Sequence, residues 1–179
     1  MQLPTRDNRR FLDVAGPSES ELFDAVPTQI VARSPGRLAG WAFLAARLLG
    51  ALAVLATGAV HLHEYEGLYG PVPTIGTLFL VNFIGATAIG VSLLAPVERI
   101  GGRRGGALVG LIAAAGIGLG ATSFVFLKIS QHTPLFGFME PGYDPAGITA
   151  SEWAEIAAVV FLAVFLVGRL VLKAPGRRW

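Results

Sequence analysis

An all-α fold, a four-helix transmembrane bundle threaded up-down-up-down, is what this sequence predicts, on three observations. Four long runs are apolar and almost free of charge, at about Trp41–His63, Thr74–Ala95, Gly106–Leu127 and Ile156–Leu172. Each approaches the roughly 20 helical residues that cross a hydrocarbon core. Charged residues are 15% of the 179 and hydrophobic residues 53%, whereas a soluble domain carries about 25% charged residues. Finally, the basic residues flank the runs and alternate by side. Backbone amides in hydrocarbon must be satisfied within the segment, so spans are helices or closed barrels. A barrel would show period-two alternation, and these runs show none.

Residues 1–37 form a polar arm of mixed charge with Pro4, Pro17, Pro27 and Pro35. It buries too little apolar surface to offset its ordering entropy and is expected to be mostly disordered. It has no apolar stretch of the signal-peptide kind. The membrane domain, 38–173, leaves no room for a second globular domain. The first span follows Arg33 and Arg37, with Trp41 at headgroup level. Arg47 lies inside this span and is expected to snorkel its guanidinium back to the headgroups. The connector Glu64–Pro73 has no Lys or Arg. Pro71 and Pro73 stop a helix there, and Thr74 is placed to cap the second span. That span ends at Pro96, ahead of Glu98, Arg99, Arg103 and Arg104, and the third ends at Lys128. After the connector Ile129–Ala150, Thr149-Ala150-Ser151-Glu152 has capping-box spacing, so the fourth helix is expected over 152–172. Glu152 and Glu155 then fall at its positive dipole end, and Trp153 at the interface. A basic tail, 174–179, closes the chain with Arg177 and Arg178.

Charge and span number agree on topology. All basic residues but Arg47, inside the first span, and Lys128 fall on the arm, the connector between spans two and three, or the carboxy-terminal end. The positive-inside rule puts these segments, and hence both termini, in the cytoplasm. Arginine dominates, lysine occurs only at Lys128 and Lys173, and alanine and glycine abound. This fits a GC-rich bacterial genome and a multi-pass protein of the bacterial cytoplasmic membrane. The pI of about 9.4 does not indicate nucleic-acid binding, because the basic residues sit where topology signals belong. With no cysteine, disulfides, thiol chemistry and iron–sulfur ligation are excluded.

The third span is small-sided. Gly106/Gly110 and Gly116/Gly120 have the spacing that lets helices approach closely, and Ala86/Gly90 in the second span offer a matching pair. This predicts a third helix at the bundle centre or at a seam with another subunit. Asn82 is the deep polar residue of the second span, and its amide is expected to bond Thr57, Thr122 or Ser123. No span shows an Asp, Glu or Lys ladder for proton relay, which weighs against a pump.

The suggestive cluster lies at the outer face: His61, His63 and His132, with Glu64, Glu66, Tyr65 and Tyr69 in one connector and Glu140 and Asp144 in the other. Imidazole and carboxylate suit zinc, copper or iron, and two imidazoles could hold haem. On a helix His61 and His63 point about 200° apart, so His61 with Glu64 or Tyr65 is the better same-face pair. A metal site on His61, His63 or Glu64 needs His132 from the other connector. The alternative is interfacial histidines bonded to backbone or water. Phe136 and Phe138 in the apolar stretch Pro134–Tyr143 are expected to dip into the interface or cover the bundle mouth. No nucleophile, base and orienting acid fall on one face.

Around His61–Leu80 and Leu135–Gly142 the chain resembles a loosely defined set of actinobacterial four-span membrane proteins. The likeness rests on the histidine-rich end of the first span, on Pro73-Thr74-Ile75-Gly76 leading to Leu78-Phe79-Leu80 and Asn82, on Leu135 to Glu140, and on Glu155. It covers about Leu38–Lys173. Such proteins have no assigned activity, so the resemblance implies the fold and no catalytic residue.

Three functions compete. The leading one is a non-enzymatic scaffold or accessory component of a membrane complex, partnered by lipid and by its own copies or other subunits. The next is a metal- or haem-binding redox protein using His61, His63 and His132. The last is an oligomeric small-molecule carrier or channel.

Overall fold

A computed structural model describes residues 35–173. The expectations for the arm up to residue 34 and for the tail 174–179 lie outside the described residues. Four long helices dominate: α1 (Pro35–Glu64), α2 (Ile75–Leu94), α4 (Gly102–Ser130) and α5 (Pro145–Lys173), with a short α3 (Val97–Ile100) between α2 and α4. Stretches long and apolar enough to cross a membrane cover Leu38–Tyr69, Ile75–Leu94, Arg104–Ser130 and Pro145–Val171. The protein is an all-helical, multi-pass membrane protein, as the four apolar runs predict. The helices outrun those runs at several ends, and residues 35–37, expected in the arm, already belong to α1.

The ends show why. Pro35 opens α1, where a missing N–H and a fixed φ suit the first turn. At its other end α1 does not stop at His63 but passes into a π-helical turn, Tyr65–Tyr69, closed by the Gly70 N–H donating to Tyr65 O at 2.9 Å. Thr74 does not cap α2 with its side chain. Instead its φ of 67° makes a γ-turn, with the Ile75 N–H donating to Pro73 O at 2.7 Å. The box at Thr149–Glu152 is not the start of α5 either. Asp144 Oδ1 accepts from the N–H groups of Ala146 (2.9 Å) and Gly147 (3.0 Å), and Pro145 takes the first helical position. Thr149 lies inside the helix, its hydroxyl donating to Pro145 O. Between Ser130 and Asp144, Leu135 and Phe138 exchange both backbone hydrogen bonds across Phe136 (φ 50°) and Gly137 (φ 79°). That is a two-residue hairpin turn of the kind that needs positive φ at both positions.

Around the bundle, α1 packs on α2 and α5, and α4 packs on α5 and α2, while α1 and α4 face each other across the diagonal. The helix α4 thus holds a corner, not the centre. Its small residues meet α5: an added Cβ on Gly116 would lie 2.6 Å from Leu162 Cδ1, and on Gly120 3.4 Å from Glu155 O. Ala86 and Gly90 do not match that row but receive α1, through Gly58 and Leu55. Leu162 also fills the notch at Gly50, so one leucine of α5 bridges α1 and α4. It is fully buried with Val54, Leu93, Val109 and Phe165 in the core. Val81, Ile84, Leu111 and Val164 are exposed around the rim, an apolar surface that lipid covers.

One end is tied by arginines. Arg47 does not snorkel. Its Nε donates to Leu93 O (2.7 Å), one terminal nitrogen to Ala95 O (2.8 Å) and the other to Glu98 (2.7 Å). The Leu93 carbonyl is left open where α2 ends, while Ala95 O also accepts from the Val97 N–H (2.8 Å), so the guanidinium helps to close the helix terminus. Arg169 donates to Gly106 O nearby. We call this the arginine end, and the opposite end, with Tyr65–Pro73 and Gln131–Asp144, the loop end.

Candidate functional site

A cavity of about 400 Å³ lies at the loop end, between α1, α2, α4 and the beginning of α5. Helix geometry puts its residues there. His61 and Glu64, three apart on α1, share a face and are both buried, whereas His63, two positions from His61, is exposed. Because α5 begins at Pro145, Glu155 is not in a first turn at the interface. It lies ten residues in, about 15 Å along the axis, and is 1% exposed. Glu64 and Glu155 are therefore acidic side chains within helices long and apolar enough to cross a membrane, whereas the sequence predicts them in a connector and at a helix start.

A polar chain crosses the cavity floor. The Thr57 carbonyl, 2.8 Å from His61 Nδ1, can only accept, so Nδ1 carries the hydrogen. In the neutral ring Nε2 then accepts from the Ser123 hydroxyl, 3.0 Å away. Glu155 Oε1 stands 3.9 Å from the same Nε2 and accepts from Ser151 Oγ at 2.9 Å. Ser123 is thus the partner of His61, not of Asn82. Among the described residues, Asn82 Oδ1, Glu64 Oε1 and Glu155 Oε2 are buried without a protein hydrogen-bond partner.

The walls and roof are mostly apolar and aromatic. Phe79 stacks on Tyr69 (centroids 4.8 Å apart) and packs against the His61 ring (5.0 Å), and Phe138 meets Tyr69 edge-on. The hairpin turn holds Leu135 and Phe138 over the cavity as a roof, whereas Phe136, also expected there, is exposed and outside the lining. Its anchor is Glu140, which accepts from the Tyr69 hydroxyl and from the N–H groups of Gly142 (2.9 Å) and Tyr143 (2.8 Å). At the rim, the amides of Gly147 and Ala146 hold the Asp144 carboxyl below the usual carboxylate range. Glu64 reaches under the first turn of α5 against Gly147, where an added Cβ would lie 2.0 Å from Glu64 Oε1 and push that carboxyl aside.

The cavity also opens sideways. Val81, Gly118 and Thr122 line it and are exposed at the seam between α2 and α4, on the face that lipid covers. Nothing lies within 4 Å of a Cβ added at Gly118.

The histidines do not form one cluster. His61 and Glu64 line the cavity, but His63 is exposed, and His132 is exposed with Nδ1 at 2.9 Å from Lys128 O. Among the described residues no group of three or more His, Asp or Glu is placed to hold a metal ion. His61 engages both ring nitrogens within the protein, which leaves none for axial haem ligation. Lys128, the basic residue on the wrong side of the charge pattern, is paired with Glu152. Sequence reasoning missed Glu155 as a site residue. The signal was present in Asp144-Pro145, a cap and first-position pair that moves the helix start upstream.

No family model, curated protein or solved structure matches this chain.

Proposed function

We propose that this chain is a membrane-embedded binding protein that takes a small lipophilic molecule from the bilayer into its loop-end cavity. The observation that carries the reading is the cavity itself. It has apolar walls, a few convergent polar groups and an opening on the lipid-facing seam, within the size range of small-molecule sites. Residues on which the resemblance to actinobacterial four-span proteins rests, among them His61, Phe79, Asn82, Leu135, Glu140 and Glu155, line this same space. The reading belongs to the small-molecule carrier class, but binding within one subunit needs no oligomeric pore.

The scaffold reading draws less support, because Gly116, Gly120, Ala86 and Gly90 are engaged inside the subunit. Gly110, with nothing within 4 Å of an added Cβ, keeps one small-residue face open for a second copy or another subunit. The scatter of His63 and His132 lends no support to a metal or haem centre. We place the arginine end in the bacterial cytoplasm and the loop end outside, on the distribution of basic residues.

The test is binding of the apolar fluorophore N-phenyl-1-naphthylamine to the full chain in nanodiscs, against empty nanodiscs and against Gly118→Trp. A Cβ at Gly118 meets nothing within 4 Å, so the larger side chain enters the side opening without a clash at its root. Saturable, stoichiometric fluorescence lost in the variant, with an unchanged melting temperature, is the expected result. A signal equal in protein and empty discs would remove the reading.

A further inference from the structure

We infer that the cavity selects a lipophilic amine, whose apolar body lies against the aromatic walls and whose ammonium nitrogen donates to Glu155 and the neighbouring unpartnered oxygens. This rests on the binding reading above and names its ligand class.

Three carboxyl side chains line the cavity, Glu64, Glu140 and Glu155, and no Lys or Arg among the described residues does. Glu140 is saturated by a tyrosine hydroxyl and two backbone amides. Glu155 and Glu64 are not. Each is over nine-tenths buried and each keeps an oxygen without a protein partner, as does Asn82. All three open atoms are acceptors, so the complementary head group is a donor. An ammonium offers three N–H groups, a hydroxyl one, and a carboxylate none. Leaving such acceptors unmade in a buried site is costly, and in an apolar setting an opposite charge is attracted far more strongly than in water.

The surroundings add the same sign. Asp144, held as a carboxylate by the amides of Gly147 and Ala146, stands beside Glu64 at the rim. The nearest lysine, Lys128, is already engaged by Glu152 and sits over the Phe124 ring, outside the lining. His61 is the one group lining the cavity that can gain a positive charge, and its ring is held by Thr57 and Ser123. With His61 neutral, 3.9 Å from Glu155 Oε1, a positive charge paired with Glu155 comes with the ligand. Phe79, Phe126, Phe138 and Tyr69 line the cavity and suit an apolar body. The opening between α2 and α4 admits a molecule that has already partitioned into lipid.

The test compares three probes with one body: 4-phenylbutylamine, 4-phenylbutanol and 4-phenylbutanoate, at neutral pH. Each is titrated calorimetrically into the full chain in nanodiscs, with empty nanodiscs subtracted. The amine should bind one-to-one and at least about tenfold tighter than the alcohol, a difference of about 1.4 kcal/mol, with the butanoate weakest. Glu155→Gln should bring the amine down to the alcohol's affinity and leave the alcohol within about twofold. An alcohol or butanoate that binds as tightly as the amine would overturn charge selection while leaving the cavity a binding site. Failure of all three probes to bind saturably would overturn the binding reading as well. Should Glu155→Gln not fold, the order of the three probes on the unaltered chain still decides, and Asn82→Leu should weaken the amine more than the butanoate.

Discussion

At the scale of single residues, Arg47 shows how a charge inside a span is accommodated. Its side chain is 13% exposed and makes two bonds to carbonyls at the end of α2 and one to Glu98, itself 37% exposed. The carbonyls are the larger effect. A half-exposed carboxylate loses most of its pairing energy to solvent screening, whereas the Leu93 carbonyl at the helix end has no backbone donor. Arg47→Ala should therefore destabilise the bundle by about 3 kcal/mol, and Glu98→Gln by no more than about 1 kcal/mol. Arg47→Lys, which lacks the planar fork, should fall between. Equilibrium unfolding in mixed micelles, followed by circular dichroism, measures all three. Equal losses for Arg47→Ala and Glu98→Gln would mean that the ion pair, not the cap, holds this corner. Some of the residue-level picture was legible in the sequence. The three-residue spacing of His61 and Glu64 and the opposed direction of His63 follow from 3.6 residues per turn. The fate of Arg47 did not follow, because it depends on where another helix ends.

At the scale of elements, the spans were legible because hydrocarbon thickness dictates their length, but their ends were decided by local chemistry. A capping box and an Asp-Pro pair lie five residues apart before the fourth span, and the earlier one starts the helix. That choice puts Glu155 ten residues into the helix, where it lines the cavity, and not in a first turn. The turn between the first two spans depends on close backbone approach. A Cβ on Gly76 would lie 2.6 Å from Gly70 O and 2.8 Å from Tyr69 O, both backbone atoms that no rotamer change can move. Gly110 meets nothing within 4 Å. The same substitution should thus have opposite signs at the two sites. Gly76→Ala should destabilise by about 1–3 kcal/mol through overpacking, and Gly110→Ala should be neutral or stabilising by up to about 1 kcal/mol through helix propensity. A large loss for Gly110→Ala, removed on dilution, would instead show that this face packs against a second copy.

At the scale of the whole molecule, the packing order of the helices sets what the protein can bind, and hydropathy does not encode it. The seam between α2 and α4 is the one that opens on the cavity, while Gly116 and Gly120 of α4 are turned to α5. Which side of the membrane the loop end faces, by contrast, is an expectation that the placement of the basic residues supplies. The chain has no cysteine, so single thiols can report on sidedness against a clean background. Gly137→Cys, in the hairpin turn over the cavity, and Ile100→Cys, 78% exposed beside α4, sit at opposite ends. In intact bacterial cells an impermeant maleimide should label Gly137→Cys and spare Ile100→Cys until the membrane is lysed. The reverse pattern would put the loop end in the cytoplasm and overturn the positive-inside assignment. The bilayer-facing side opening would survive that result, since it lies on the rim of the bundle, but the rim carboxylates Asp144 and Glu64 would then meet ligands from the cytoplasmic leaflet.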